Sequence, residues 1–103
     1  MIWDVRVTPN ARRDRDREIA WFDENRPSVT QDFIDDYFRT LRRIEEGADR
    51  PAIDDRGFRH LAFDTFKHHI WYRLIEGSNV VYVVLVNYQG RDPEMIDRRL
   101  RTS

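Results

Sequence analysis

The run "FRHLAFDTFKHHIWYRLIEGSNVVYVVLVNY", residues 58–88, decides the fold. It reads as three strands joined by two short turns. "FRHLAF" (58–63) and "HHIWYRLI" (68–75) flank the turn "DTFK". "EGSN" then makes a hairpin turn into "VVYVVLVNY" (80–88). The last strand is apolar on both faces, which predicts a central place in the sheet. In the middle strand Ile70, Tyr72 and Leu74 alternate with His69, Trp71 and Arg73. Side chains on a strand alternate between faces. The first set is therefore predicted to face the core, and the second to line a sheet face left open. Arg59 or His60 would join that face from the neighbouring strand, and Tyr88 from the end of the central one.

The flanking segments supply what the sheet packs on. "IWDVRVT" (2–8) alternates as a half-buried strand and stops at Pro9. "ARRDRDREIAWFDENR" (11–26) has helical spacing, with Ala11, Arg15, Ile19 and Phe22 on one stripe and Asn10 as the expected N-cap. A second helix is expected to end at Gly47, with Ser28 and Gln31 as a capping box and Phe33, Tyr37, Leu41 and Ile44 as its stripe. Its acidic residues (Asp32, Asp35, Asp36) precede its basic ones (Arg39, Arg42, Arg43), which suits the helix dipole. Residues 52–57 read as a polar loop. Pro93 opens a short closing helix through "EMIDRRL". A helical hairpin with one apolar stripe and a sheet with one apolar face make a two-layer α+β domain spanning residues 1–103.

Composition narrows the function classes. The chain has 103 residues, 40% of them apolar and 36% charged, enough for one modest core. An aromatic content of 13% argues against disorder. With no cysteine there is no disulfide framework and no thiolate chemistry. Nothing reads as a signal peptide, and the longest apolar run, Val80 to Val86, is too short to span a membrane, so a cytoplasmic location is expected. A net charge of −1 offers no bulk attraction for nucleic acid.

The candidate chemistry is sparse. The three histidines are His60, His68 and His69. Adjacent histidines on a strand point to opposite faces, so His68 and His69 cannot chelate one ion together, although one of them could pair with His60 across the hairpin. Two histidines without a third ligand make a poor metal site, and none is expected. The carboxylates, Asp35 and Asp36 included, read as solvated charges. There is no glycine-rich phosphate loop and no assignable triad, so no cofactor is expected either. Trp71 beside His69 and Arg73 suits a binding surface, with aromatic area and cationic rim.

The element order, together with Tyr72-Arg73, Gly77, the apolar run from Val80 to Val86 and the closing Arg91-Asp92-Pro93, resembles the RelE/ParE superfamily of toxins from bacterial toxin–antitoxin pairs. The resemblance implies a helical hairpin on a curved, antiparallel-rich sheet. It also implies a cognate antitoxin that wraps the chain in a hetero-oligomer, with nucleic acid engaged only through the antitoxin or the target. RelE-like members cut messenger RNA on the ribosome; ParE-like members poison DNA gyrase without a nuclease site. The nuclease branch usually has a basic residue, often Arg, where this chain has His69. Many members of both branches have His where it has Tyr88. With the low net charge and the "RDP" ending, this places the chain closer to the ParE branch. The expected partner contacts are Trp21, Trp71, Arg73 and Arg91, with Trp3 a further tryptophan for an antitoxin to cover. A nuclease alternative would use His69, Arg73 and Tyr88, with His and Tyr moving protons and Arg stabilising a phosphorane. A third reading is an orphan member without toxicity that acts only in assembly.

Overall fold

A computed structural model describes residues 2–89 and 92–103. The elements run β1 (Asp4–Val7), α1 (Pro9–Asn25), a 3-10 turn (Pro27–Val29), α2 (Thr30–Gly47), β2 (Arg59–Ala62), β3 (His68–Leu74), β4 (Val80–Tyr88) and α3 (Pro93–Arg101). The sheet order is β1-β4-β3-β2, with β1 parallel to β4 and the other pairs antiparallel. The three-strand meander and the central β4 are as expected. Gly77 adopts φ +77° in the β3–β4 turn, a conformation open to glycine at little cost.

The helical hairpin covers one sheet face. Ala11, Phe22, Phe33, Tyr37 and Ile44 pack there against Phe63, Ile70, Tyr72, Val81, Val83 and Val86. Tyr72 is fully buried and donates to the Ala48 carbonyl at 2.9 Å. Burial pushes its pKa up to about 12, so it stays a neutral donor.

Two caps differ from expectation. Helix α1 starts at Pro9, and Thr8 rather than Asn10 caps it, its Oγ1 accepting from Ala11 N at 3.3 Å. Pro9 fits because the first turn needs no N–H from it. Helix α2 has no side-chain cap: Pro27–Val29 forms the 3-10 turn, and the Ser28 capping box is not made.

The face expected to stay open is partly covered. Leu100 and Ile96 of α3 pack with Phe58, Val84, Leu85, Trp71 and Tyr82. Helix α3 buries the apolar half of the second face and leaves Arg73 exposed. The charged half has no apolar area for a helix to gain from covering.

A β-bulge determines which groups share a face. Trp71 pairs with Leu85 and Tyr72 with Val83, so Val84 is an extra residue. Val84 and Leu85 consequently both join the α3 side, while Val81, Val83 and Val86 face the hairpin. An inserted residue reverses the facing of everything after it. The two-faced apolar run thus serves two cores in turn.

Candidate functional site

The expectation of solvated carboxylates fails at two helix positions. Asp36 is fully buried and accepts backbone N–H bonds from Asp64 (3.2 Å), Thr65 (2.9 Å) and Phe66 (2.9 Å), tying the β2–β3 turn to α2. Burial opposes its charge, but those three donors and the Arg39 guanidinium outweigh it and hold the carboxyl below the ordinary range. Asp14 is also buried. It accepts from Val86 N at 3.2 Å and takes both arms of Arg99 of α3, at 2.9 and 2.8 Å. The sequence carries only a partial signal for them. Asp36 follows Phe33 by three and precedes Tyr37, and Asp14 follows Ala11 by three, so each lies on its helix's apolar arc.

Between the C-terminal half of α1, the N-terminal half of α2 and the β2–β3 turn lies a cleft of about 960 Å³. Trp21, Phe22, Phe66, His68 and Tyr88 supply its aromatic wall, and Glu18, Arg26, Asp32, Asp35, Arg39 and Lys67 its charged surround. Trp21 is 51% exposed and Tyr88 47%. His68 is buried at the base among Phe22, Phe33, Phe63, Phe66 and Tyr88. Its Nε2 stands 3.4 Å from the Glu18 carboxylate. Both ring nitrogens are buried. This site went unread in the sequence because its walls come from four separated segments.

The second face carries a different cluster. His60 stacks on Trp71 with ring centres 4.4 Å apart, His60 and His69 are 5.3 Å apart, and Arg56 lies over the Trp71 ring at 5.6 Å. Trp71 Nε1 donates to Asn87 Oδ1 at 2.9 Å. Burial, then the nearby His60 and His68, lower the His69 pKa, so the ring is neutral at neutral pH.

The sequence-derived site residues divide accordingly. His69, Trp71 and Arg73 share the α3 face, as expected. Tyr88 does not: it pairs with His68 in register, its ring 5.3 Å from that of His68, and it lines the cleft on the hairpin side. The bulge at Val84 is the cause, since without it Tyr88 would face His69. His69, Arg73 and Tyr88 therefore do not converge. Trp21 stands exposed at the cleft, whereas Trp3 and Trp71 are half-buried. Arg91 lies outside the described residues. Among the described residues no three His, Cys, Asp or Glu side chains come together as a metal site, and no helix is long and apolar enough to cross a membrane.

No protein-family model and no curated protein sequence matches the chain. Solved structures do. A chromosomal ParDE toxin–antitoxin system from P. aeruginosa gives a TM-score of 0.72 at 13% identity, covering 84% of this chain and 96% of that one. A mutant of E. coli toxin RelE in the free state gives 0.66 at 11% identity, covering 99% and 98%. The toxin–antitoxin complex RelBE2 from Mycobacterium tuberculosis gives 0.51 at 19% identity, covering 86% and 100%. At these identities the likeness is one of fold, and the fold is that of the RelE/ParE toxins.

Proposed function

We propose that this chain, with its RelE/ParE-like fold, is the toxin half of a toxin–antitoxin pair, held inactive by a cognate antitoxin. Its action is of the ParE kind: it binds a protein target, DNA gyrase, and has no nuclease site of its own. Toxin–antitoxin systems among the structures that share its fold support the first part. The observation that carries the second is the β4 bulge, which puts Tyr88 on the face opposite His69 and Arg73. An acid–base pair must reach one phosphate from both sides, and these groups cannot. The net charge of −1 adds to this, because a ribosomal nuclease works among RNA phosphates.

Induced expression is expected to arrest growth, and co-expression of the cognate antitoxin to restore it. Purified protein is expected to inhibit supercoiling by gyrase and to leave ribosome-bound messages intact. Message cleavage with gyrase untouched would establish the nuclease reading instead. Unaffected growth at good soluble yield would establish a role in assembly alone.

The antitoxin is assigned to the cleft, with Trp21 as an anchor, and to the opposite sheet face at Trp71 and Arg73, with Arg91 as a further contact. Trp21→Ala is expected to weaken antitoxin binding roughly 30-fold or more, on the order of 2 kcal/mol, as for an interface tryptophan. Calorimetric titration measures this, and a loss under threefold removes Trp21 from the interface. The variant's melting temperature should change little, since half of the side chain is already in water.

A further inference from the structure

We propose that His60 and His69 form an open chelate for a borderline divalent transition-metal ion of the Zn²⁺, Ni²⁺ or Cu²⁺ class. The two side chains project from adjacent strands on one sheet face. His60 is opposite Trp71 and His69 opposite Ala62, so they are diagonal neighbours across the β2–β3 hairpin. Their ring centres are 5.3 Å apart. Two imidazoles on one ion, with metal–nitrogen bonds of about 2.0–2.1 Å, place their ring centres roughly 4.5–5.5 Å apart. The observed spacing requires only side-chain rotation, with the backbone left as it is.

Three features of the surroundings favour an ion. His69 Nδ1 has no hydrogen-bond partner, so turning it toward an ion displaces no existing bond. His60 is held in place by its stack on Trp71. Arg56, which lies over Trp71, is paired with Asp54 at 2.9 Å and Asp97 at 3.0 Å, which offsets its charge. Imidazole is the donor that this class of metal favours. Two protein ligands make a weaker site than a three-ligand centre, so the ion binds loosely and keeps positions open to water or to an incoming ligand. It also staples the four-residue edge strand β2 to β3. The pair is on the sheet face opposite the cleft, so Trp21→Ala should leave ion binding unchanged.

Trp71 provides the readout, because Cu²⁺ quenches the fluorescence of a nearby indole and His60 stacks on that ring. Titration of the full chain with Cu²⁺ is expected to quench part of the tryptophan emission saturably, and Zn²⁺ to compete. His60→Ala and His69→Ala should each raise the apparent Kd at least tenfold. Trp71→Phe should remove most of the quench while calorimetry still detects the ion. His60 is exposed at the sheet edge, so His60→Ala retains the fold, which circular dichroism checks. Unaltered Cu²⁺ affinity in both histidine variants, or no saturable binding below millimolar concentration, overturns the proposal.

Discussion

Asp36→Ala is expected to lower stability by about 3 kcal/mol, a large share of the roughly 5–15 kcal/mol that holds a domain together. The substitution removes a fully buried carboxylate and leaves the N–H groups of Asp64, Thr65 and Phe66 without their acceptor. Losing an acceptor inside a fold costs the desolvation of each stranded donor, and water can reach this turn only in part. For a chain of this size the melting temperature should fall by roughly 12–24 °C. Asp36→Asn keeps the shape but offers one acceptor in place of two, and should fall between parent and alanine variant. A drop of less than about 4 °C for the alanine variant would show that the turn is held by other contacts.

The same carboxylate gives the pH dependence its sign. Its pKa is depressed in the folded state, whereas an unfolded aspartate titrates near about 3.9. The unfolded chain binds the proton more readily, so the contribution of Asp36 is complete above that pH. It is lost as pH falls through the lower folded value. Denaturant unfolding of parent and Asp36→Ala should therefore converge in acid. Parallel curves down to the acid transition would assign the loss to packing rather than charge.

Asp14→Ala is the second large effect, expected at about 2–3 kcal/mol. Strand β1 ends opposite Val83, so the edge of β4 beyond it has no neighbouring strand. Asp14 takes the Val86 N–H there, and Arg99 pairs with Asp14 while approaching the Val84 carbonyl at 3.4 Å. The ion pair thus covers an open sheet edge and fastens α3 to the body in one contact. Removing Asp14 strands both the N–H and a guanidinium that is only 26% exposed. Arg99→Ala should cost less, because Asp14 keeps the Val86 bond and has Arg17 at 3.8 Å. The double variant should show a coupling of about 1 kcal/mol or more. Hydrogen exchange adds a local test: protection of the Val86 and Leu100 amides should fall in Asp14→Ala. Unchanged exchange at Leu100 would separate α3 from the clamp.

Much of the architecture is local and was readable. Strand β4 was bounded correctly at Val80 and Tyr88 because a continuous apolar run between two turn signals has few other readings. The helical stripes placed Phe33, Tyr37 and Ile44 in the core because 3.6-residue spacing fixes which side chains share a face. The errors occur where a partner is distant. The N-cap passed from Asn10 to Thr8 because the fold sets where the chain turns. Asp36 was read as solvated because its partners lie nearly thirty residues away. The burial of His68 is set the same way, by five aromatic rings from four separated segments.

The element order, the central strand and the face shared by His69, Trp71 and Arg73 follow from periodicity read segment by segment. The side of the sheet on which Tyr88 stands depends instead on how β4 pairs with β3. The reason is the single extra residue at Val84: the run "VVYVVLVNY" is apolar on both sides of the bulge, so no change of pattern marks where the facing reverses. That reversal separates the tyrosine from the histidine and arginine, builds the cleft beside Trp21, and leaves His69 to face His60.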